Sequence, residues 1–300
     1  MHSMTRLGAF LATAMIFASP AMALTYEFSG DVIGKVTHYK VQPGDNLYRI
    51  ARQFDIGIVE LLASNPGIDP WTPEEGTRLT LPTRHVLPDA GREGIVINLS
   101  ELRLFYFAND DVVMTFPIGI GKEGWPTPQG ETTIAAKREN PAWIPPASIL
   151  AENPGLPPII PAGPDNPLGA YAMSLDWESF AIHGTNRPYG VGKRSSHGCI
   201  RLYPEDIAQL FMAVDVGTKV TVIDAPYKLG WQENKLWLEV TPNQQQADVI
   251  AKYGSVKADQ LPGIYDAIGL AAHGAPIEWD AIEQAIARHD GIPVVIAVKP

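Results

Sequence analysis

Residues 181–185 and 194–202 read Ala181-Ile182-His183-Gly184-Thr185 and Arg194-Ser195-Ser196-His197-Gly198-Cys199-Ile200-Arg201-Leu202. They contain the only cysteine of the 300-residue chain, preceded by two histidines that are each followed by glycine. A thiol attacks as its thiolate, and an imidazole that titrates near neutral pH can accept the thiol proton. Glycine lets the backbone approach a substrate closely. The two runs therefore predict a nucleophilic cysteine, Cys199, supported by a histidine.

A structural explanation exists for each of these residues alone. A lone cysteine is often a small buried apolar residue, and a lone histidine often has an ordinary packing role. The run Ser-His-Gly-Cys-Ile-Arg is intact, however, which makes a chance combination of single residues a poor explanation. A single cysteine cannot form an internal disulfide, and in an oxidising compartment it is a hazard unless it is buried or used. Both points favour a functional Cys199.

The two runs resemble the signature of the YkuD-type L,D-transpeptidases, which is His-Gly, a variable loop, and then Ser/Thr-His-Gly-Cys. Many members of that family have Asn two residues after the cysteine, where this chain has Arg201. The resemblance implies that Cys199 is the nucleophile and that His183 accepts and then donates the proton. The departure at Arg201 concerns contact with the substrate and leaves the reaction class unchanged.

The same resemblance assigns roles to neighbouring residues. The carbonyl of Gly184 would hold the tautomer of His183 in place of a triad carboxylate. Three backbone N–H groups would bind the oxyanion: those of His197, Gly198 and Cys199. Two side chains are predicted to bind carboxylates of the substrate: Ser196 and Arg201. The resemblance implies no metal and no organic cofactor.

The substrate is also implied by the resemblance. Similar enzymes cleave the bond between the L-centre of diaminopimelate and the terminal D-alanine of a peptidoglycan tetrapeptide stem. A thioester forms, D-alanine leaves, and an amine resolves the acyl-enzyme. The amine is either diaminopimelate of a second stem, which gives a 3–3 cross-link, or the terminal lysine of an outer-membrane lipoprotein. The lipoprotein is the preferred partner, because similar chains with an N-terminal LysM module include lipoprotein-attaching enzymes and because a net charge of −10 favours a basic chain end.

Residues 36–82 predict a strand–helix–helix–strand module. A short strand precedes the turn Gln42-Pro43-Gly44-Asp45-Asn46, apolar residues then recur twice at helical spacing, and Leu79-Thr80-Leu81-Pro82 closes the module. This order, with Asn-Pro after the second helix, resembles a LysM module, a class that binds the N-acetylglucosamine-containing glycan of peptidoglycan. The resemblance implies a sugar groove lined by four residues: Gly44, Asp45, Asn46 and Asn65. A structural module that has lost its sugar site is the alternative.

Residues 93–224 predict the catalytic domain. Short strands alternate with turns from Gly94 onward, which favours a β-sandwich-like domain over βαβ units. A proline-rich loop at 140–168 is predicted to form a lid or a wall of the substrate site. The expected fold class is therefore mainly β with α, comprising a βααβ LysM module, a β-sandwich-like YkuD domain and a small α/β region at 229–300. In that last region His289 is interpreted as a surface residue.

Residues 1–23 predict a secretory signal peptide. One basic residue, Arg6, precedes a short apolar run, and Ala21-Met22-Ala23 has the small-x-small pattern of a cleavage site. The apolar run is too short for a stable transmembrane helix, and the sequence predicts no other membrane segment. The expected location is the periplasm.

The acidic composition argues against one class of partner, nucleic acid, because phosphate binding needs a basic face. Other classes of enzyme remain as alternatives. A secreted cysteine peptidase of the NlpC/P60 kind would have its cysteine before its histidine, and an L,D-carboxypeptidase would use water in place of the acceptor amine. A zinc hydrolase would need a ligand cluster such as HExxH, which is absent from the sequence. A catalytically inactive wall-binding protein is the last alternative.

Overall fold

The structure is a computed structural model that describes residues 24–299. The predicted signal peptide at 1–23 lies outside the described residues. Within the described part of the chain, no helix has the length and the apolar character needed to cross a bilayer.

The described residues are mainly β, with fewer helices, as the sequence predicts. The strands are β1 Leu24–Glu27, β2 Val32–Gly34, β3 Thr37–Lys40, β4 Arg78–Leu81, β5 Arg84–Val86, β6 Gly94–Asn98, β7 Arg103–Phe107, β8 Val112–Pro117, β9 Ile120–Gly121, β10 Gly130–Glu139, β11 Tyr171–Leu175, β12 Ala181–His183, β13 Arg194–Ser196, β14 Ile200–Arg201, β15 Lys219–Ile223, β16 Tyr227–Gln232, β17 Lys235–Val240 and β18 Val294–Val298. The helices are α1 Leu47–Gln53, α2 Ile58–Ala63, α3 Ala147–Glu152, α4 Pro204–Ala213, α5 Gln244–Tyr253, α6 Ile264–Ala272 and α7 Trp279–Arg288, with a 3-10 helix at Pro188–Gly190.

A curled nine-stranded sheet forms the catalytic part, in the order β1-β8-β7-β6-β15-β10-β11-β12-β14. The predicted strand pair β6–β7 is antiparallel, with Ile97 opposite Leu104, and β6 runs parallel to β15. Both Ile97 and Leu104 are fully buried, because one face of these strands packs into the main apolar core. The opposite end of the sheet, β12 and β14, carries the predicted catalytic residues.

The βααβ module is present as predicted. Strands β3 and β4 pair antiparallel with Tyr39 opposite Leu79, and α1 and α2 lie between them in the chain. The side chain of Asn46 caps α1 by accepting a hydrogen bond from the N–H of Arg49, 2.9 Å away. Leu47 is completely buried by the same turn.

The chain before this module has a structure that the sequence did not predict. Strand β1 pairs with β8 at the edge of the catalytic sheet, with Tyr26 opposite Val113, and β2 pairs with β5. The module is therefore held at both ends by strands that lie outside it. Arg52 of α1 also makes a bidentate ion pair with Glu205 of α4, at 2.7 Å for both hydrogen bonds. These contacts fix the module against the catalytic sheet.

The C-terminal region forms a three-stranded sheet, β16-β17-β18, covered by α6 and α7. The sequence predicted a small α/β region here but did not indicate α5 or α6. Helix α5 does not join the core of this region, because Ala247 and Ile250 pack into the main core and Asp248 pairs with Arg194 at 2.6 Å. The interpretation of His289 as a surface residue is wrong, since its side chain is buried at the end of α7.

A buried charge network joins these parts. The ammonium of Lys228 lies 2.7 Å from a carboxylate oxygen of Glu101 and 3.1 Å from one of Glu239, and Nδ1 of His85 lies 3.2 Å from Glu101. Burial alone would raise the pKa of Glu101, but Lys228 and His85 hold that pKa below its ordinary value. Removal of any one of these side chains would leave a buried charge uncompensated. The network therefore favours a single arrangement of the modules.

Candidate active site

Strand pairing brings the predicted histidine and cysteine together. Strand β12 ends at His183 and runs parallel to β14, with Ile182 opposite Ile200 and His183 opposite Arg201. Cys199 directly precedes β14, so the register places it beside Ala181, at the start of β12, one strand away from His183. The fifteen residues between His183 and Cys199 therefore form a loop that a local sheet contact closes, and such a contact holds catalytic groups rigidly.

The imidazole of His183 is buried and its orientation is held by the backbone. Its Nδ1 lies 2.6 Å from the carbonyl oxygen of Gly184, to which Nδ1–H donates, leaving Nε2 as the acceptor. This is the contact that the family resemblance predicts for Gly184. Burial, and then the positive charge of Arg201, lower the pKa of His183 to about 4. The ring is therefore neutral near pH 7 and able to accept a proton.

The thiol of Cys199 is also neutral at rest. Burial raises its pKa, against the opposing effects of the Ala181 N–H and the charge of Arg201. The sulfur lies 3.7 Å from the carbonyl oxygen of Ser179, a residue with a φ of +70° at the turn before β12. The ground state is consequently a neutral thiol and a neutral imidazole that line one cavity, so a proton has to move when the sulfur attacks.

Both groups line one cavity of about 590 Å³, which is the size of a ligand site. The proline-rich loop at 140–168 covers it, as the sequence predicts, and contributes Trp143 and Ile149 to its wall. The loop is not wholly irregular, since it includes α3. On the other side lies the turn 176–180 between β11 and β12. The cavity is apolar along the loop and polar at the thiol.

The residue between His197 and Cys199 shapes the turn. Gly198 has a φ of +102°, and a Cβ there would lie 2.6 Å from the ring of Phe180, so both conformation and space require glycine. Its N–H donates to Oγ of Ser196 at 3.1 Å. The role of the Gly198 N–H in binding the oxyanion stays a prediction, as do those of the N–H groups of His197 and Cys199.

The two predicted carboxylate-binding side chains lie in different environments. Ser196 is completely buried, and its hydroxyl donates to the carbonyl of Cys199 at 2.6 Å, so it supports the turn and does not face the cavity. Its predicted contact with the substrate stays a prediction. Arg201 lines the cavity, and its Nε has no hydrogen-bond partner among the described residues. Of the two, only Arg201 is placed to meet a carboxylate.

Two contacts around this turn were missed by sequence reasoning. Thr127 donates from its hydroxyl to the carbonyl of Gly198 at 2.8 Å, and the Thr-Pro pair at 127–128 was only interpreted as a turn. Glu152 at the end of α3 lies 3.1 Å from Nε2 of His197, whose ring packs edge-on against Trp125. The side chain of His197 therefore contacts the lid through Glu152.

The predicted glycan-binding residues have mainly structural contacts. Asp45 accepts hydrogen bonds from the hydroxyl of Tyr39 and the N–H of Gln42, both at 2.8 Å, and Asn46 caps α1. Asn65 is buried. Its side-chain Nδ2 donates to the carbonyl of Thr80, and its Oδ1 accepts from the N–H of Thr80. Its predicted contact with sugar stays a prediction, and these internal bonds would have to be exchanged for it. Gly44 is exposed at the turn, where a Cβ would meet nothing within 4 Å.

One group of side chains in the described residues has the geometry of a metal site: His85, Glu101 and Glu239, with possible ligand atoms all within 4.8 Å of one another. None of the three lines the cavity that contains Cys199. The ammonium of Lys228 lies between the two carboxylates and neutralises them as a bound cation would. The group fits the buried charge network better than a site for chemistry.

The fold and the site together define an enzyme that presents one thiol and one neutral imidazole to a lidded cavity. Residues 92–222 match the sequence model of the YkuD L,D-transpeptidase catalytic domain, and residues 39–82 match that of the LysM domain. The probable L,D-transpeptidase ErfK/SrfK of Escherichia coli strain K12 is 37% identical, over 98% of this chain and 98% of that protein. The probable L,D-transpeptidase YcfS of the same strain is 42% identical, over 74% of this chain and 74% of that protein. The probable L,D-transpeptidase YbiS of that strain is also 42% identical, over 71% of this chain and 72% of that protein.

The chain belongs to the L,D-transpeptidase family, with a LysM domain before a YkuD catalytic domain. It is an enzyme of that type, and its two domains imply that it binds peptidoglycan.

The acid side of the pH profile should report the lowered pKa of His183. Because imidazole must be neutral to accept the thiol proton, we expect the rate of Cys199 acylation to fall on acidification with a midpoint of about 4. Arg201→Gln removes the charge that helps to lower this pKa, so its acid limb should move toward neutral pH. Acylation time courses by mass spectrometry between about pH 2.5 and pH 8, a range that includes both protonation states, measure the two midpoints. A wild-type limb at the ordinary value of 6.5 would contradict the expected burial of the ring.

Proposed function

We propose that Cys199 forms a thioester with the tetrapeptide stem of peptidoglycan at the L-centre of diaminopimelate. The observation that carries this proposal is that the thiol and the neutral imidazole of His183 line the same cavity, with Nδ1 of the imidazole already held by Gly184. As the sulfur attacks the carbonyl carbon, Nε2 accepts the thiol proton and the C–S bond forms. The oxyanion is bound by the N–H groups of His197 and Cys199.

The tetrahedral intermediate then loses D-alanine. The imidazolium of His183 gives its proton to the leaving nitrogen, so that the C–N bond breaks with a neutral amine as the product. Burial and the nearby charge of Arg201 make the imidazolium a strong acid, which favours this transfer. Arg201 lines the cavity and would pair with a carboxylate of the stem.

An amine resolves the acyl-enzyme in the second half of the reaction. It loses a proton to His183 as it attacks the thioester, and the thiol of Cys199 is restored. The preferred acceptor is the terminal lysine of an outer-membrane lipoprotein, with diaminopimelate of a second stem as the alternative. Two features support a basic chain end as acceptor: the net charge of −10, and the lid at 140–168, which gives the cavity a long wall.

Each domain of the chain has a separate role in this proposal. Residues 36–82 bind the glycan, residues 93–224 carry out the transfer, and residues 229–300 support the others, through the buried network at Lys228 and through Asp248 on Arg194. A signal peptide at 1–23 would deliver the protein to the periplasm, where stems and lipoprotein meet. No metal or organic cofactor enters any step.

The test is a two-stage assay on the purified full-length protein. In the first stage the protein is incubated with an isolated tetrapeptide stem, and intact-mass and peptide spectra are recorded. The proposal expects the mass of the stem minus D-alanine on Cys199 and an equal amount of free D-alanine. An adduct on any other residue, or no adduct and no release, would show that the protein is inactive or uses other chemistry.

In the second stage the acyl-enzyme receives equal concentrations of a lysine-terminated peptide and a second stem. Lysine adducts should dominate if the acceptor is a lipoprotein end, and a peptide ending in arginine serves as the matched control because guanidinium does not attack a thioester. Mainly stem dimers would establish 3–3 cross-linking instead. Release of free tripeptide alone would identify an L,D-carboxypeptidase.

A further inference from the structure

Three aromatic side chains meet at the junction of the LysM and catalytic domains. The ring centroids of Tyr48 and Trp71 are 4.6 Å apart, those of Tyr48 and Tyr189 5.4 Å, and those of Trp71 and Tyr189 6.0 Å. Tyr48 and Trp71 belong to the LysM domain, whereas Tyr189 belongs to the 3-10 helix at Pro188–Gly190 in the catalytic domain. We refer to these three rings as the junction platform.

The platform is open to solvent, although aromatic side chains normally bury most of their surface. Trp71 is 57% exposed and Tyr189 is 51% exposed. An exposed group of large apolar side chains marks a binding surface more often than a packing surface. Tyrosine and tryptophan suit such a surface because each has an apolar face and a polar group that remains hydrated.

The platform is rigid before any ligand binds. The N–H of Trp71 and that of Thr72 both donate to a carboxylate oxygen of Asp69 at 2.8 Å, and the carbonyl of Pro70 accepts from Leu47 at 2.8 Å. These bonds fix the loop that carries Trp71 to the start of α1. A ligand therefore loses little affinity to the ordering of this loop.

The catalytic side of the platform is fixed against the LysM domain as well. The carbonyl of Gly192 accepts from the N–H of Val59 at 3.2 Å, and a Cβ on Gly192 would lie 2.3 Å from the N of Ile58. The ammonium of Lys193 lies 5.4 Å from the ring centroid of Tyr48. The same segment continues to the active site, since Ser195 bonds to the carbonyl of Gly190 and its own carbonyl accepts from Arg201.

We propose that the junction platform is a composite glycan-binding subsite, in which Tyr189 of the catalytic domain and Trp71 of the LysM domain hold successive sugar rings of one peptidoglycan strand. This inference rests on the proposed function, since it deepens the binding of glycan there. The apolar faces of pyranose rings pack on aromatic rings, and successive sugars in a strand are rotated relative to each other. The planes of the three rings make pairwise angles of 30°, 78° and 49°, so the rings do not form one flat surface. Such a surface suits sugar rings that differ in orientation.

A composite subsite has a consequence for the reaction. A LysM domain alone would raise the local concentration of stems, whereas a site shared with the segment 188–193 also sets the direction of the strand relative to Cys199. That segment lies between His183 and Cys199 in the sequence, so the bound sugars and the reacting thiol are held by one stretch of backbone.

The test measures binding of the full-length protein to a soluble oligosaccharide of alternating N-acetylglucosamine and N-acetylmuramic acid from which the stems have been removed. Tyr189→Ala and Trp71→Ala should each bind about tenfold more weakly, as expected for the loss of an aromatic anchor. Tyr189→Phe keeps the ring and should stay within about threefold of wild type. Matched controls are Tyr253→Ala and Trp279→Ala, exposed aromatic residues of the C-terminal region, which should bind like wild type.

The outcomes are distinct. If Tyr189→Ala binds like wild type while Trp71→Ala does not, the glycan site is confined to the LysM domain and the composite subsite is overturned. If both variants bind like wild type, or if wild type does not bind the oligosaccharide, the platform has another role and the inference is also overturned. Acylation of wild-type Cys199 by an isolated stem, measured on the same preparation, shows separately whether the proposed chemistry holds.

Discussion

Replacement of Cys199 by alanine is expected to abolish thioester formation and D-alanine release, with a loss of at least about four orders of magnitude, the scale seen when a nucleophile is removed. The change deletes one sulfur, whose hydrogen bonds are to the carbonyl of Ser179 and from the N–H of Ala181, so the fold should remain. Mass spectrometry and D-alanine release with an isolated stem measure the effect, and the thermal midpoint reports the fold.

Cys199→Ser is the matched variant, because it keeps the size of the side chain and replaces a thiol with a much weaker nucleophile. It should be as inactive as the alanine variant. Stem turnover near the wild-type rate in either protein would show that a different group carries the reaction. Loss of the thermal transition in both proteins would instead show that the thiol has a structural role, in which case the activity data decide nothing about chemistry.

The second large effect is expected for His183→Ala, with a loss of about three to four orders of magnitude in the acylation rate. No other imidazole can replace this one, because it alone is held at the end of β12 with Nδ1 bonded to Gly184. The rate constant for acylation by an isolated stem, measured by rapid-quench mass spectrometry, gives the size of the loss.

His197→Ala is the matched control for this prediction. His197 stands in the same sequence signature, yet its side chain contacts Glu152 and Trp125, and only its backbone N–H is proposed to act on the substrate. Its replacement should therefore cost about tenfold or less, through a looser lid. If His197→Ala lost more activity than His183→Ala, the roles of the two histidines would have to be exchanged.

Most of the local structure could be predicted from the sequence. The turn at Gly44–Asn46 and the helix that Asn46 caps are local features, since side-chain hydrogen bonds to nearby backbone groups define them. The strands β6, β7, β15 and β17 follow from apolar periodicity and turn residues. Helices α5 and α6 were missed, since α5 begins with three polar glutamines and α6 contains Gly269, a residue that disfavours helix.

Side-chain roles around the active site were harder to predict. The resemblance implied that Ser196 and Gly198 act on the substrate, but the structure bonds these two residues to each other inside the turn. Asn65 was expected to face a sugar and is used by Thr80. In each case a polar residue near a functional motif forms a hydrogen bond with a buried backbone group. Such a group needs a hydrogen-bond partner in the protein when water is excluded.

The sequence by itself determined the family and the order of the two domains, and it predicted the nucleophile, because these depend on residue types at short spacings that one stretch of chain contains. Only the tertiary structure decided what surrounds them. The pairing of β1 with β8, the network at Lys228 and the meeting of Tyr189 with Trp71 join residues that are far apart in the chain. Long-range contacts of this kind leave no periodicity in the sequence, since each is selected by packing and charge compensation in the folded molecule.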